Sequence, residues 1–533
     1  FLLGGWIADS RTCLRQATAW TMFLCMVLLM LAEGLILRYF QLQRHDSMYL
    51  SLVPCMYFLF HALLYFRGKR HVWLRDVSLL VYMIHPMMIV VIRLAAKVLH
   101  LQALLVENSA VHFLAVVVTS VSFSVAAAAF WQRFGCKTKR LVQGADRAYI
   151  EINLDNLTHN VAVLREAMPP GCELMAVVKA EAYGHGMYAI ATHLDRIGVR
   201  AFAAATIDEG IALRRFGIRG EILILGYTPP ERAWALHKYD LSQTLVDYDY
   251  ACRLNAQGVR VRAHIKLDTG MHRLGFWVPV DGDAGKNVVK EMQKLVRVFA
   301  MKNLNINGIY THLCAADSPD EEYVLFTRQQ IARFYKVIDR LEKQGIEIPK
   351  THIQSSYGLL NYPELKCSFV RAGIALYGVL STADAQTKLH PDLRPVLALK
   401  AQIVLIRNIK EGESVGYGRT FVADRDSRIA ILSIGYADGF PRILSGKGQY
   451  VLIKGQQAPI VGRICMDQLA VDITALSGIH VGMTATLIGR DGDAQIMAPA
   501  VAERAQSITN ELLSRMGTRV AVKGISDGFL RIF

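Results

Sequence analysis

The nine cysteines are scattered, at positions 13, 25, 55, 136, 172, 252, 314, 367 and 465, an odd number with no Cys-x-x-Cys pair. This spacing excludes a disulfide framework and a zinc site, and it suits a reducing compartment. No metal site is expected. Charge is also sparse: 20% of the 533 residues are charged and 53% are hydrophobic, which excludes a disordered chain. Acidic residues are scarcest in the first 140 positions, where Asp9, Glu33, Asp46, Asp76 and Glu107 meet 14 Lys/Arg, a net +9. The other 393 residues carry 46 Lys/Arg against 40 Asp/Glu, a net +6. The overall +15 therefore gives little reason to expect nucleic acid as a partner. A basic, apolar quarter beside a balanced remainder reads as a membrane domain joined to a soluble part. The chain opens on Phe1, so its N-terminus is expected to lie upstream.

Four apolar segments, about Ala17–Leu37, Met48–Phe66, Val77–Val98 and His112–Trp131, approach the ~20 residues a bilayer crossing needs. With four spans, the stretches before the first, between the second and third, and after the fourth share one side. They hold 10 cationic residues; Arg38, Arg44 and Lys97 hold the other side. The positive-inside rule then predicts a multi-pass cell-membrane protein with everything after Arg140 in the cytoplasm. Glu33 and Arg93 fall inside spans, as a substrate path or as snorkelling groups near helix ends. The run SLLVYMIHPM (78–87) resembles the end of membrane acyltransferase-3 domains, so residues 1–140 are expected to be such a domain truncated at its start.

From Arg147 the texture changes to short apolar runs such as LMAVVKA (174–180), AFAAAT (201–206), ILILG (222–226) and INGIYTH (306–312). Amphipathic stretches lie between them. Strand-then-helix units over 147–390 predict a (β/α)8 barrel, and the β-rich, Gly-punctuated remainder, 391–533, predicts a separate mostly-β domain. Barrel sites form at the C-terminal ends of strands, which here carry Lys179, Arg273, His312, Ser356 and Arg371. Each has an ordinary structural reading alone. Together they form a cationic mouth suited to a phosphate and a carboxylate, with Lys179 a candidate Schiff-base lysine.

AVVKAEAYGHG (176–186) resembles the cofactor-lysine motif of alanine racemases, usually AVVKANAYGHG. The likeness continues in order through HIKLDTGMHRLGF (264–276), GIYTHLCAAD (308–317), VRAGIALYG (370–378), VGYGRTF (415–421), IGYADGFPR (434–442) and VGRICMDQ (461–468). Behind a membrane domain, it is similar to the membrane-bound serine/alanine racemases of vancomycin-resistance clusters. The resemblance implies pyridoxal 5'-phosphate (PLP) as cofactor, a homodimer with shared sites, and L-serine or L-alanine as substrate. Lys179 would hold the cofactor and act as one base, and Tyr417 from the partner subunit as the other. Arg371 would meet the pyridine nitrogen, supported by His312. Arg273 would face the substrate carboxylate, and Lys266 matches a lysine often carried as a carbamate. Tyr183, Ser356, Gly373 and Ile374 would hold the phosphate. Met466 would offer its amide to the substrate, and Tyr436, Asp317, Arg442 and Arg463 match the entryway.

Three departures stand out. The family's Ala-Asn-Ser-Ala reads Gln354-Ser355-Ser356-Tyr357; Val278–Lys286 is an insertion; and Thr518 takes the place of a tyrosine, leaving space and a hydroxyl. Thr518 is thus a candidate substrate-binding residue favouring serine. The expected function is PLP-dependent racemisation of L-serine, with alanine activity, supplying D-amino acid for modified peptidoglycan precursors. The alternatives are an alanine racemase for ordinary wall synthesis, or a transporter or acyltransferase with an accessory racemase domain. Decarboxylases of the same barrel class use a cysteine and acidic residues where VGYGRTF and GRICMDQ stand.

Overall fold

A computed structural model of the chain describes residues 16–40, 54–55, 57–58, 72–102, 111, 115–126, 146–278, 286–517, 519–526 and 529–532. The chain divides into two compact units, Phe1–Gly144 and Ala145–Phe533.

In the first unit, helix α1 spans Gln16–Tyr39 and helix α2 spans Val72–Val98. Among the described residues no helix is long and apolar enough to cross a membrane. The sequence expectation of an α-helical membrane domain with four spans is corrected on this point. With it go the multi-pass cell-membrane location and the cytoplasmic placement inferred from flanking charge. The physical reason is interruption. α1 contains Glu33 and Arg38, while α2 contains Arg75, Asp76, Arg93 and Lys97 and has Pro86 inside it. A charge in a bilayer centre costs ~3 kcal/mol or more, and the hydrocarbon needs ~20 mostly apolar residues. Of the expected fourth span, residues 115–126 are described and the rest lies outside the described residues. Most of the second lies outside the described residues.

The second unit is built on eight short parallel strands. After β1 (Ala148–Asn153) come β2 (Glu173–Val177), β3 (Ala201–Ala204), β4 (Glu221–Ile224) and β5 (Ser242–Leu245). They are followed by β6 (Val261–Asp268), β7 (Leu304–Tyr310), β8 (Lys350–His352) and β9 (Phe369–Ala372). Strands β2 to β9 make one sheet in the order β9-β2-β3-β4-β5-β6-β7-β8, parallel throughout. The ends meet where Ser368 N–H donates to Thr351 O (2.7 Å) and Arg371 N–H to Gln354 O (3.1 Å). That closure makes the (β/α)8 barrel the sequence pattern predicts. Strands such as β3 are continuous apolar runs because both faces are covered; all four residues of β3 are buried. The helix Ile207–Arg215 shows how local sequence sets a boundary. Thr206 and Glu209 close a capping box at its start, satisfying two otherwise orphaned amides.

The mostly-β part comes next: β10 (Leu397–Ile409), β11 (Ser427–Leu432), β12 (Tyr450–Ile453), β13 (Gln456–Val461), β14 (Leu469–Asp472), β15 (Thr484–Asp491) and β16 (Ala521–Ser526). Long β10 pairs with both β11 and β15 and shifts register along its length, so the sheet curls around it. β1 joins this sheet, not the barrel. It runs antiparallel to β10 (Ala148↔Ala401) and parallel to β16 (Tyr149↔Ala521). Beside it Arg147 makes a forked ion pair with buried Asp438 at 2.6 and 3.0 Å. The first strand of this unit therefore lies beside one from near its C-terminal end.

Candidate active site

Nine of the residues singled out from the sequence surround one cavity of about 410 Å³: Lys179, Tyr183, Lys266, Arg273, His312, Ser356, Arg371, Gly373 and Ile374. Their strands deliver them. Lys179 follows β2, Lys266 lies on β6, His312 follows β7, and Arg371 lies on β9.

Lys179 opens an unusual turn. Ala180, Glu181, Ala182 and Tyr183 all have left-handed backbone, with φ from 51° to 54°. For non-glycine residues this costs ~1–2 kcal/mol each, so the surroundings must impose it. Glu209 Oε1 accepts from Ala180 N–H (2.7 Å), and Glu181 Oε2 accepts from Met187 N–H (3.1 Å). The other oxygen of Glu209 caps its own helix through Ala205 and Thr206 N–H. Burial, then the positive Arg273, lower the pKa of the Lys179 amine from the usual lysine value.

Arg371 is buried and held from three sides. Nη1 donates to His352 Nδ1 and His352 O, both at 2.9 Å; Nη2 donates to Thr311 O at 2.7 Å and to His312 Nδ1 at 3.3 Å. Burial lowers its pKa to about 10, so it stays cationic at neutral pH. Burial and then Arg371 keep His312 and His352 well below the usual histidine value, hence neutral. A guanidinium only donates, which fixes the tautomers: His352 accepts at Nδ1, and its Nε2–H is left for His264 Nδ1 (2.8 Å). His264 Nε2–H then meets Glu221 Oε1 at 2.7 Å. A line of hydrogen bonds thus crosses the barrel from Arg371 to Glu221. His352, His264 and Glu221 were not singled out from the sequence; a polar residue inside an apolar strand was the available sign.

Lys266 is buried on β6 with its amine 5.9 Å from the Tyr310 ring centre. Burial first, then Arg273 and Arg371, bring its pKa down to about 8. On the opposite wall Ser356 Oγ accepts from Gly373 N–H (3.0 Å) and Ala375 N–H (3.3 Å). A Cβ at position 373 would stand 2.8 Å from Tyr183 Oη, so only glycine leaves this cradle open.

Three expected site residues lie elsewhere. Tyr417, Met466 and Tyr436 are not in the cavity wall; they are 70%, 52% and 40% exposed on the mostly-β part. They are neighbours there, since Tyr436 N–H donates to Cys465 O (3.0 Å) and Gly418 lies against the Arg463 guanidinium. Thr518 and most of the Val278–Lys286 insertion fall outside the described residues. The C-terminal segment nonetheless supplies Asn510 to the cavity wall. Its Oδ1 is shielded from solvent and has no hydrogen-bond partner among the described residues.

The alanine racemase N-terminal domain family matches residues 152–381 and the alanine racemase C-terminal domain family matches residues 396–523. The chain belongs to the alanine racemase family. A relative from Enterococcus faecalis described as an amino-acid racemase is 52% identical over 98% of this chain and 72% of its own. A serine/alanine racemase from Enterococcus gallinarum is 35% identical over 94% of this chain and 68% of its own. Among solved structures, an alanine racemase from Clostridium difficile 630 matches with TM-score 0.66 and 33% identity, over 72% of this chain and 97% of that one. A histidine racemase from Leuconostoc mesenteroides matches with TM-score 0.63 and 30% identity over 72% and 98%. The protein is thus an amino-acid racemase, and its family depends on PLP. The cavity fits that cofactor: a lysine of lowered pKa, a glycine-lined cradle with a serine and a tyrosine hydroxyl, and a cationic wall for a phosphorylated, electron-withdrawing ring.

Proposed function

We propose that this family member interconverts L-serine and D-serine, with L-alanine as a second substrate, through two bases on opposite faces of the bound amino acid. The observation that carries the serine reading is Asn510. A buried Oδ1 without a partner is costly, and a substrate hydroxyl can supply the missing donor where a methyl group cannot. PLP, when bound, supplies the electron sink that makes the α-proton acidic. Lys179 would hold it covalently. Tyr183 Oη, Ser356 and the amides of Gly373 and Ile374 would hold its phosphate, and Arg371 would meet its ring nitrogen. Arg371 is a guanidinium that donates to neutral His352 and His312, so it donates hydrogen bonds and accepts no proton. Arg273 orients the substrate carboxylate. Lys266, with its pKa near 8, has a substantial neutral fraction for carbamate formation, and the resulting anion would hold Arg273 in place.

The Lys179 amine takes or returns a proton on one face. Tyr417 Oη does so on the other, from a partner subunit whose Met466 amide and Tyr436 complete the pocket. The exposure of Tyr417, Met466 and Tyr436, away from their own chain's cavity, supports a symmetric homodimer with shared sites. The D-serine formed would supply modified peptidoglycan precursors, as in glycopeptide resistance. In domain terms we divide the racemase into a barrel over 147–390 and a β domain over 391–533.

Subunit mixing tests the two-base dimer. Lys179→Ala and Tyr417→Phe homodimers should each lose activity, the latter by at least ~10²-fold. After subunit exchange, each mixed dimer should regain about one working site. Exchange without recovery would refute sharing.

A further inference from the structure

Cys172 and Cys367 lie 195 positions apart in the chain, yet their sulfurs are 3.7 Å apart. Cys172 stands one residue before β2 and Cys367 two before β9, at the N-terminal rim of the barrel. This is the end away from Lys179 and Arg371, which lie at or beyond the C-terminal ends of the same two strands. The strands are neighbours in fixed register, with Glu173 opposite Phe369 and Glu173 N–H donating to Ser368 O at 2.9 Å. Both thiols are only partly buried, so a small solute can reach them. The other described cysteines are free as well.

The two sulfurs are chemically unequal. The hydrogen bond between them, followed by burial, pushes the Cys172 thiol up. The same hydrogen bond holds the Cys367 thiol down against the effect of burial, aided by backbone N–H groups and the positive Arg371. A thiol with substantial thiolate at neutral pH beside a protonated one is the arrangement of an attacking and a resolving cysteine.

We propose that Cys172 and Cys367 form a reversible modification site for hydroperoxides, closing to a disulfide that staples β2 to β9. The Cys367 thiolate attacks one peroxide oxygen. The O–O bond breaks, hydroxide leaves, and Cys367 becomes a sulfenic acid. Cys172 sulfur then attacks the sulfenyl sulfur, the S–O bond breaks, and the Cys172 proton leaves with the departing oxygen as water. With hydrogen peroxide, the hydroxide takes up the proton that Cys367 had released, so two thiols and one hydrogen peroxide give one disulfide and two waters. Two electrons pass from sulfur to peroxide. From 3.7 Å the sulfurs must close to the ~2.05 Å of a disulfide, a movement available to residues at strand ends. Closure also withdraws the Cys367 thiol from Gln354 Oε1 (3.2 Å), whose own backbone carbonyl accepts from Arg371 N–H. The modification therefore touches the shell behind the pocket.

The test uses the full 533-residue chain, titrated with hydrogen peroxide and digested without reductant. A peptide joining Cys172 to Cys367 is expected, lost again on adding dithiothreitol, together with a rise in thermal midpoint for the oxidised wild type. A link across so long a loop constrains the unfolded chain strongly. Cys172→Ser and Cys172→Ala should show no rise, and should carry Cys367 on to sulfinic acid at the same peroxide dose. Overoxidation of Cys367 in the wild type without a joined peptide would overturn the proposal. So would unreacted thiols at doses that oxidise exposed methionine, or an equal thermal shift in the Cys172 variants. None of these outcomes bears on racemisation.

Discussion

Replacing Asn510 by leucine keeps the branched shape of that side chain and removes its polar atoms. In the wild type with alanine bound, Asn510 Oδ1 stays buried and unpaired, at a cost of ~1–3 kcal/mol; a serine hydroxyl that donates to it removes that cost. At 1.4 kcal/mol per tenfold, this contact is worth roughly 5- to 150-fold in the ratio of kcat/KM for serine over alanine. Asn510→Leu should lower the ratio by that factor, with serine losing activity and alanine holding or gaining. Racemisation of each L-amino acid, followed by loss of optical rotation, gives both constants on one preparation. An equal loss for the two substrates would refute the reasoning, because a lost hydroxyl contact cannot affect a substrate that has no hydroxyl. Thr518→Tyr separates the two ends of the segment. It should refill space and also move kcat/KM toward alanine; if it shifts the ratio and Asn510→Leu does not, selectivity rests on Thr518.

Gly373→Ala should leave the fold intact and weaken PLP binding at least about tenfold, seen in spectral titration of cofactor-free protein, because the new methyl would stand 2.8 Å from Tyr183 Oη. With ¹³C-bicarbonate, a carbamate carbon resonance should appear and grow as pH rises through about 8, where Lys266 loses its proton; Lys266→Gln should abolish it. Asp438→Asn should lower stability by ~1.5–3 kcal/mol in denaturant unfolding, since it removes a charged, hydrogen-bonded partner of Arg147. Burial pushes the Asp438 carboxyl up, but Arg147 and the Gly435 N–H outweigh it and hold its pKa below the usual value. A depressed carboxylate stabilises fully above its unfolded pKa of ~3.9 and loses that contribution as pH falls through the folded value. The Asn variant should therefore differ from wild type at neutral pH and converge with it in acid.

The sequence by itself determined the barrel, the β domain and most of the cavity wall. Strands covered on both faces must be continuous apolar runs, and a barrel brings the residues at the end of each run to one mouth; so Lys179, Arg273, His312 and Arg371 could be gathered from linear order alone. Hydropathy alone misjudged the N-terminal quarter. It registered apolar character but not the length of helix left between charges such as Glu33 and Arg38. Only the tertiary structure decided the contacts between residues distant in the chain. β1 leaves the barrel because its free edges pair with β10 and β16, which come some 250 and 370 residues later. The left-handed turn after Lys179 exists because Glu209, on another helix, holds it against its own preference. The place of Asn510 in the cavity wall, the pairings along the Glu221–His264–His352–Arg371 line and the approach of Cys172 to Cys367 could not be read from any local window. Local pattern fixes which face a residue turns to the core, but the partner across that core is set by where the whole chain closes.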